Sequence, residues 1–242
     1  MIQRKNHSLI VCGKKYFDTI IETQNIQLNE TNYYTNLQKI IGGYNNFNEV
    51  NFLNYTLHCH RIGLKKAYII CDIANSTRMS FVKNTEASII SKKDIEYLNT
   101  ASWVHFAYID DFEDYLSVQN IVSNFSLDFC TSSADRTKFI QLINQAKIIF
   151  DSRERKNMYC SIRTKTPIIF HDPFGVEIVV DGNSVCCVEN IPIEGLNVNG
   201  AGDILAGFII DQWGYMYIKD NLVNAILKTK NKLINRNNHE KI

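Results

Sequence analysis

Runs rich in β-branched and aromatic residues recur along this chain with helix-patterned segments between them, and that alternation is what most narrows the fold. Strand-like runs fall at 9–12, 67–71, 79–82, 103–109, 126–130, 147–150, 168–170 and 177–180. Helical patterns lie at 92–98, 111–123 and 134–145, with Ser91 and the pair Ser132-Ser133 placed to cap two of them. Strands separated by helices cannot pair through tight turns. The alternation therefore predicts a mainly parallel central sheet covered by helices on both faces, a three-layer α/β sandwich. A length of 242 residues suits one such core, and 45% hydrophobic residues supply the surface it buries. With 3 prolines, 11 glycines and no Pro/Gly/Ser-rich linker, a single domain over 1–242 is expected. The segment 19–41 differs, being polar, partly alternating and rich in Thr, Asn and Tyr, which suits exposed strands.

The chemistry concentrates near the C-terminus. Asn199-Gly200-Ala201-Gly202-Asp203 leads directly into the apolar run Ile204-Leu205-Ala206-Gly207-Phe208-Ile209-Ile210. Two glycines without side chains, opening a buried helix, let the amides of Gly200, Ala201 and Gly202 approach an anion at the positive end of the helix dipole. Asp203, in the first turn, stands where it can take a proton from an attacking hydroxyl. The pattern points to phosphoryl transfer.

Asn197-Val198-Asn199-Gly200-Ala201-Gly202-Asp203 resembles the C-terminal motif of the PfkB (ribokinase-like) carbohydrate kinases, D-T-x-G-A-G-D, with Asn197 and Val198 in place of the leading Asp and Thr. Other stretches are similar in the same order. Asp18 follows the first strand where the family grips substrate hydroxyls. Gly42-Gly43, then Tyr44-Asn45-Asn46-Phe47-Asn48, resembles the Gly-Gly pair with its sugar-binding Asn. The family Asn falls at Phe47, so its role passes to Asn46 or Asn48. Asp151-Ser152-Arg153-Glu154 corresponds to the metal-ordering N-x-x-E, with Asp for Asn. Residues 166–180 resemble the strand, T-x-G-x-x-G loop and strand around the nucleotide, with Phe170 and Asp172 replacing Thr and Gly and only Gly175 matching.

The resemblance implies a ribokinase-like fold with a small β-lid from about 16–41 and 66–84. It implies an ATP-dependent phosphotransferase acting on a hydroxyl of a small sugar or sugar-like molecule. Asp203 is then the base; Gly200, Ala201 and Gly202 supply amides; Asp18, Gly42, Gly43, Asn46 and the lid residue Arg78 hold the substrate. Gly175 and Asn199 face the nucleotide, and Glu154 with Asp151 organises Mg²⁺. A nucleoside kinase of the same superfamily is equally compatible. A non-catalytic ligand-binding or scaffold protein retaining the fold is the rival from another class, motivated by Asn197, Val198, Phe170, Asp172 and the short stretch after Asp203. Tyr33, Leu37, Ile40, Met79 and Phe81 give the lid an apolar face that a second copy can cover, which suggests a homodimer through the lids.

Charge excludes other classes. Lys and Arg number 26 against 25 Asp and Glu, so no global field favours nucleic acid or an anionic membrane, and Lys228, Lys230 and Lys232 read as a solvated helix face. The 7 cysteines lack C-x-x-C spacing and suit reduced thiols in the cytoplasm; His58-Cys59-His60 has no companion ligands for zinc. The N-terminal apolar run, 9–12, is too short for a signal peptide, and no segment reaches transmembrane length.

Overall fold

The computed structural model describes residues 7–27, 29–72, 74, 77–84, 89–130, 134–193 and 198–239, the side chains at 77, 78, 84 and 237–239 excepted. Its strands are β1 (His7–Thr23), β2 (Tyr34–Gly43), β3 (Tyr55–Asp72), β4 (Thr77–Asn84), β5 (Trp103–Ala107), β6 (Asn124–Asp128), β7 (Ile148–Ser152), β8 (Ile168–Asp172), β9 (Gly175–Val180) and β10 (Asn183–Glu189). They join in one sheet ordered β10-β9-β8-β7-β6-β5-β1-β3-β4, with β2 on β1. From β8 through β7, β6, β5 and β1 to β3 all pairs are parallel. The β8-β9-β10 meander and the β1-β2 and β3-β4 pairs are antiparallel.

The central strands are apolar on both faces because both are covered. Ile10, Cys12, Val104, Phe106, Leu127 and Ile149 form one core, on the side of α1 (Lys92–Leu98) and α2 (Ile140–Gln145). Leu9, Val11, Ile148, Phe150 and Ile169 form the other, against α3 (Ala201–Gln212) and α4 (Ile218–His239). α3 is apolar nearly all round because it is enclosed between sheet and α4; residues 203–212 are all buried.

Helices are shorter than the sequence pattern suggests. The expected helix at 111–123 is only a 3-10 turn, Tyr115–Asn120, and that at 134–145 is a 3-10 turn, Arg136–Phe139, running into α2. Ser91 does cap α1, in a reciprocal pair: its Oγ accepts from Asp94 N–H at 3.2 Å and Asp94 Oδ2 accepts from Ser91 N–H at 2.7 Å. Ser132 and Ser133 lie outside the described residues, and Asp135 does the capping there, its Oδ1 accepting from Thr137 N–H at 2.9 Å.

The distal halves of β1 and β3 continue past the core and, with β2 and β4, make a four-stranded lid ordered β2-β1-β3-β4. Tyr16, Ile20, Ala67 and Ile69 pack together on its inner side. On the outer side Phe17, Leu37, Ile41, Tyr68, Met79 and Phe81 are exposed.

Candidate active site

The sharp feature is the entry to α3. Gly200 is left-handed, φ 75°, and a Cβ there would stand 2.6 Å from the Asn46 amide. Both the turn and the approach of Asn46 require glycine. Asn46 comes from a 3-10 turn, Tyr44–Glu49, launched by Gly42-Gly43 at the end of β2. Its Nδ2 donates to Asp203 Oδ2 at 2.7 Å. Asp203 itself is 2% exposed.

A second donor was not legible in the sequence. Tyr108, directly after β5, has φ 63° and ψ 56°, and its hydroxyl donates to Asp203 Oδ2 at 2.8 Å, with Oδ1 at 3.0 Å. A non-glycine residue in the left-handed region is costly, and here that conformation delivers the phenol to the carboxylate. The Tyr108 ring meets the Tyr16 ring edge-on at 5.7 Å, joining α3 to the lid. Burial, above all, raises the Asp203 pKa to about 6; the Asn46 and Tyr108 hydrogen bonds pull against that rise, and Asp18 adds to it.

Asp18 is 6% exposed, on the inner face of β1 above Gly42. Burial raises its pKa, and a hydrogen bond from Asn199 opposes the rise. Asn199, expected beside a nucleotide, is thus committed to Asp18, and its carbonyl accepts from Arg236 Nη2 at 2.7 Å. Asp18 Oδ1 is buried without a partner, a carboxylate oxygen left open to accept a hydrogen bond.

The amides divide unevenly. Ala201 N–H donates to Val198 O at 3.0 Å, so it is spent inside the turn and does not face an anion. No side chain caps α3, and among the described residues Gly202 and Asp203 N–H make no hydrogen bond back to the 198–200 turn. Gly202 and Asp203 N–H are thus open at the helix N-terminus, as the donors of an anion site need to be. The His171 ring forms its wall, with Cε1 2.9 Å from where a Gly202 Cβ would lie. Burial is the main cause of its pKa falling to about 4, so the ring is neutral at pH 7.

The expected Asp151–Glu154 metal pair does not fit a resident ion. Asp151 is fully buried and accepts from Arg136 Nε at 3.0 Å, Arg155 Nε at 2.5 Å, Tyr159 Oη at 2.8 Å and Ser152 N–H at 2.8 Å. Every lone pair that could face a metal is occupied. Glu154 is 75% exposed and, among the described residues, reaches only Arg155, at 3.2 Å. Among the described residues no three His, Cys, Asp or Glu side chains are grouped to hold a metal. The extra charge of Asp over Asn answers two arginines instead.

Gly175 opens β9, where a Cβ would collide with the Val188 carbonyl oxygen of β10. Arg78 stands in β4 opposite Cys71, with its side chain outside the described residues, as is Asn197.

No family model matches the chain, and no curated protein matches it. Solved structures do. A ribokinase from Cryptococcus neoformans in complex with ADP superposes with a TM-score of 0.70 at 12% identity, covering 91% of each chain. A Burkholderia thailandensis nucleoside kinase in complex with inosine gives 0.69 at 12%, over 92% of this chain and 89% of that one. An Arabidopsis thaliana ribokinase complexed with ribose and ATP gives 0.61 at 12%, over 90% of each. The fold is ribokinase-like. Within the ribokinase-like fold, Tyr108 and Asp151 mark the C-terminal ends of β5 and β7, and Asp203 the start of α3. This is the crevice beyond the strand ends where open α/β sheets place ligands. No helix among the described residues is long and apolar enough to cross a membrane.

Proposed function

We propose that this chain is an ATP-dependent phosphotransferase that phosphorylates a hydroxyl of a small sugar or sugar-like molecule. The observation that carries the reading is a buried carboxylate, Asp203, held by two donors beside two open amides at a helix N-terminus. Asn46 bonds Oδ2 and the Tyr108 hydroxyl spans both oxygens, nearer Oδ2, so the acceptor hydroxyl approaches the less occupied Oδ1. It gives its proton there as its oxygen attacks the γ-phosphorus of ATP and the bond from that phosphorus to the bridging oxygen breaks, releasing ADP. A base poised near neutrality suits that role. Gly202 and Asp203 N–H face the charge that develops on the transferred group, and Asp18 Oδ1 accepts from a second hydroxyl of the acceptor. Kinases of this fold solved with ribose and ATP, or with ADP, support the donor and acceptor classes. A nucleoside acceptor is the second reading, favoured by the neighbour solved with inosine.

The test is a turnover screen with ATP and Mg²⁺ across sugars, sugar phosphates and nucleosides. Phosphorylation of a member of one class selects between the readings; no transfer to any would leave a ligand-binding protein with this fold.

Tyr108→Phe checks the geometry separately. Losing a hydroxyl bonded to a carboxylate disfavours its ionised form, so the Asp203 pKa rises. The acid limb of the kcat/KM profile should move to higher pH by about one unit. An unmoved profile would show that Tyr108 does not govern the base.

The lids pair in a two-fold dimer in this reading, covering Phe17, Tyr68 and Phe81. Sedimentation at micromolar concentration should give twice the 27.9 kDa of the chain, and Tyr68→Glu should return it to the monomer. A wild-type monomer would refute the pairing.

A further inference from the structure

We infer that Lys14 binds an anionic group, a phosphate or a carboxylate, carried by the acceptor itself; the inference rests on the phosphotransferase reading above. Lys14 begins the lid half of β1 and is 2% exposed. Among the described residues no carboxylate lies within ion-pair distance of its ammonium and no hydrogen bond satisfies it. The contrast with Lys65 is direct. Lys65, paired with Tyr16 across β1 and β3, forms an ion pair with Asp111 and lies over the Tyr16 ring at 5.6 Å. Tyr16 donates to the same Asp111 Oδ2 at 2.6 Å. The nearest carboxylate is therefore committed to two other groups.

The charged groups facing Lys14 are Asp111, Lys65 and Glu113. Burial is the first cause of its lowered pKa; Lys65 adds to the lowering, while Asp111 and Glu113 oppose it without reversing it. A lysine side chain buried to this degree without an ion-pair partner costs the fold free energy, and it is tolerated where a ligand completes it.

Position identifies the ligand. Strand periodicity puts Lys14, Tyr16 and Asp18 on one face of β1, and a Cβ on Gly43 would collide with the Lys14 carbonyl. The same face carries the unpartnered Oδ1 of Asp18, and Tyr16 connects it through Tyr108 to Asp203. One molecule that answers both groups has hydroxyls for Asp18 and an anion for Lys14. That is a sugar monophosphate or a sugar acid, in preference to a neutral sugar.

Calorimetry on the full chain tests this without relying on turnover, using a hexose monophosphate, an aldonate, the neutral hexose and inorganic phosphate. The phosphate or the acid should bind at least tenfold more tightly than the neutral sugar, and which of the two does so assigns the anion. Lys14→Met should collapse that difference while melting no lower than wild type, because an unpaired buried charge is gone. Equal wild-type affinity for charged and neutral sugars overturns the inference, whatever the variant does. So does Lys14→Met that melts lower and weakens charged and neutral sugars alike, which would make Lys14 a structural partner of Asp111. Inorganic phosphate binding as tightly as the sugar phosphate overturns the claim that the acceptor bears the anion. Anion preference without phosphoryl transfer to any sugar would refute the kinase reading and leave the anion site standing; transfer without preference would do the reverse.

Discussion

Asp203→Asn should lower turnover by about 10²–10⁴-fold while acceptor affinity stays within a few-fold of wild type. Asn has the shape of Asp and keeps one oxygen to accept from Asn46 and Tyr108, so the three-residue arrangement survives. What it loses is the capacity to take a proton. Stability supplies the control. A carboxylate whose pKa burial has raised is a strained anion at neutral pH, and a neutral amide in its place should not lower the melting temperature. Steady-state kinetics with calorimetric binding on the same preparation separates the two effects. Turnover within a factor of three of wild type would remove Asp203 as the base.

The second large effect is on stability. Asp151→Ala leaves two guanidinium groups, one of them on the fully buried Arg136, without the carboxylate that answers them both; among the described residues Asp110, 3.3 Å from Arg136, and the exposed Glu154, 3.2 Å from Arg155, are the ion-pair partners that remain. Removing one side of a buried ion pair costs about 3–5 kcal/mol, which for a chain of this size is roughly 10 °C in melting temperature. Scanning calorimetry reads it directly. If Asp151 were instead a metal ligand, Ala would leave melting of the metal-free protein nearly unchanged and raise the divalent ion concentration needed for turnover.

How far the sequence carried these conclusions depends on the range of the forces involved. Strands buried on both faces, such as β5, β7 and β9, and the apolar α3 announce themselves because burial dictates their composition. β10 is largely exposed, so burial imposes no clear pattern on its sequence; yet Asp181-Gly182, with φ 50° and 78°, is a two-residue hairpin signal that could have revealed it. The misread helix at 111–123 packs Phe112, Tyr115, Val118 and Ile121 on the core, all buried except the half-buried Tyr115, at every third residue, which is the 3-10 period and not the α period. At the site, glycines and the residue following them could be placed from local turn chemistry. Asn46, 157 positions from Asp203, fell within reach through the Gly-Gly pattern alone. Tyr108 carries no local signature, since nothing beside it in sequence demands a left-handed residue. Arg136 reaches Asp151 only because β6 and β7 are neighbours, a fact of topology that spacing does not encode.

β1 and β3 run unbroken from core to lid, and that continuity has a mechanical meaning. The lid is not a flap on a slack tether; it is a cantilever whose stiffness is that of two hydrogen-bonded strands side by side. Their ladder is interrupted once, where Gly13 faces Arg61 and Lys14 faces Gly63, leaving Ile62 as an extra residue. Bending concentrates at such an interruption. A load on the inner face of the lid is therefore delivered at the root of the beam, beside Lys14, and passes from β1 into β5, the strand that ends at Tyr108.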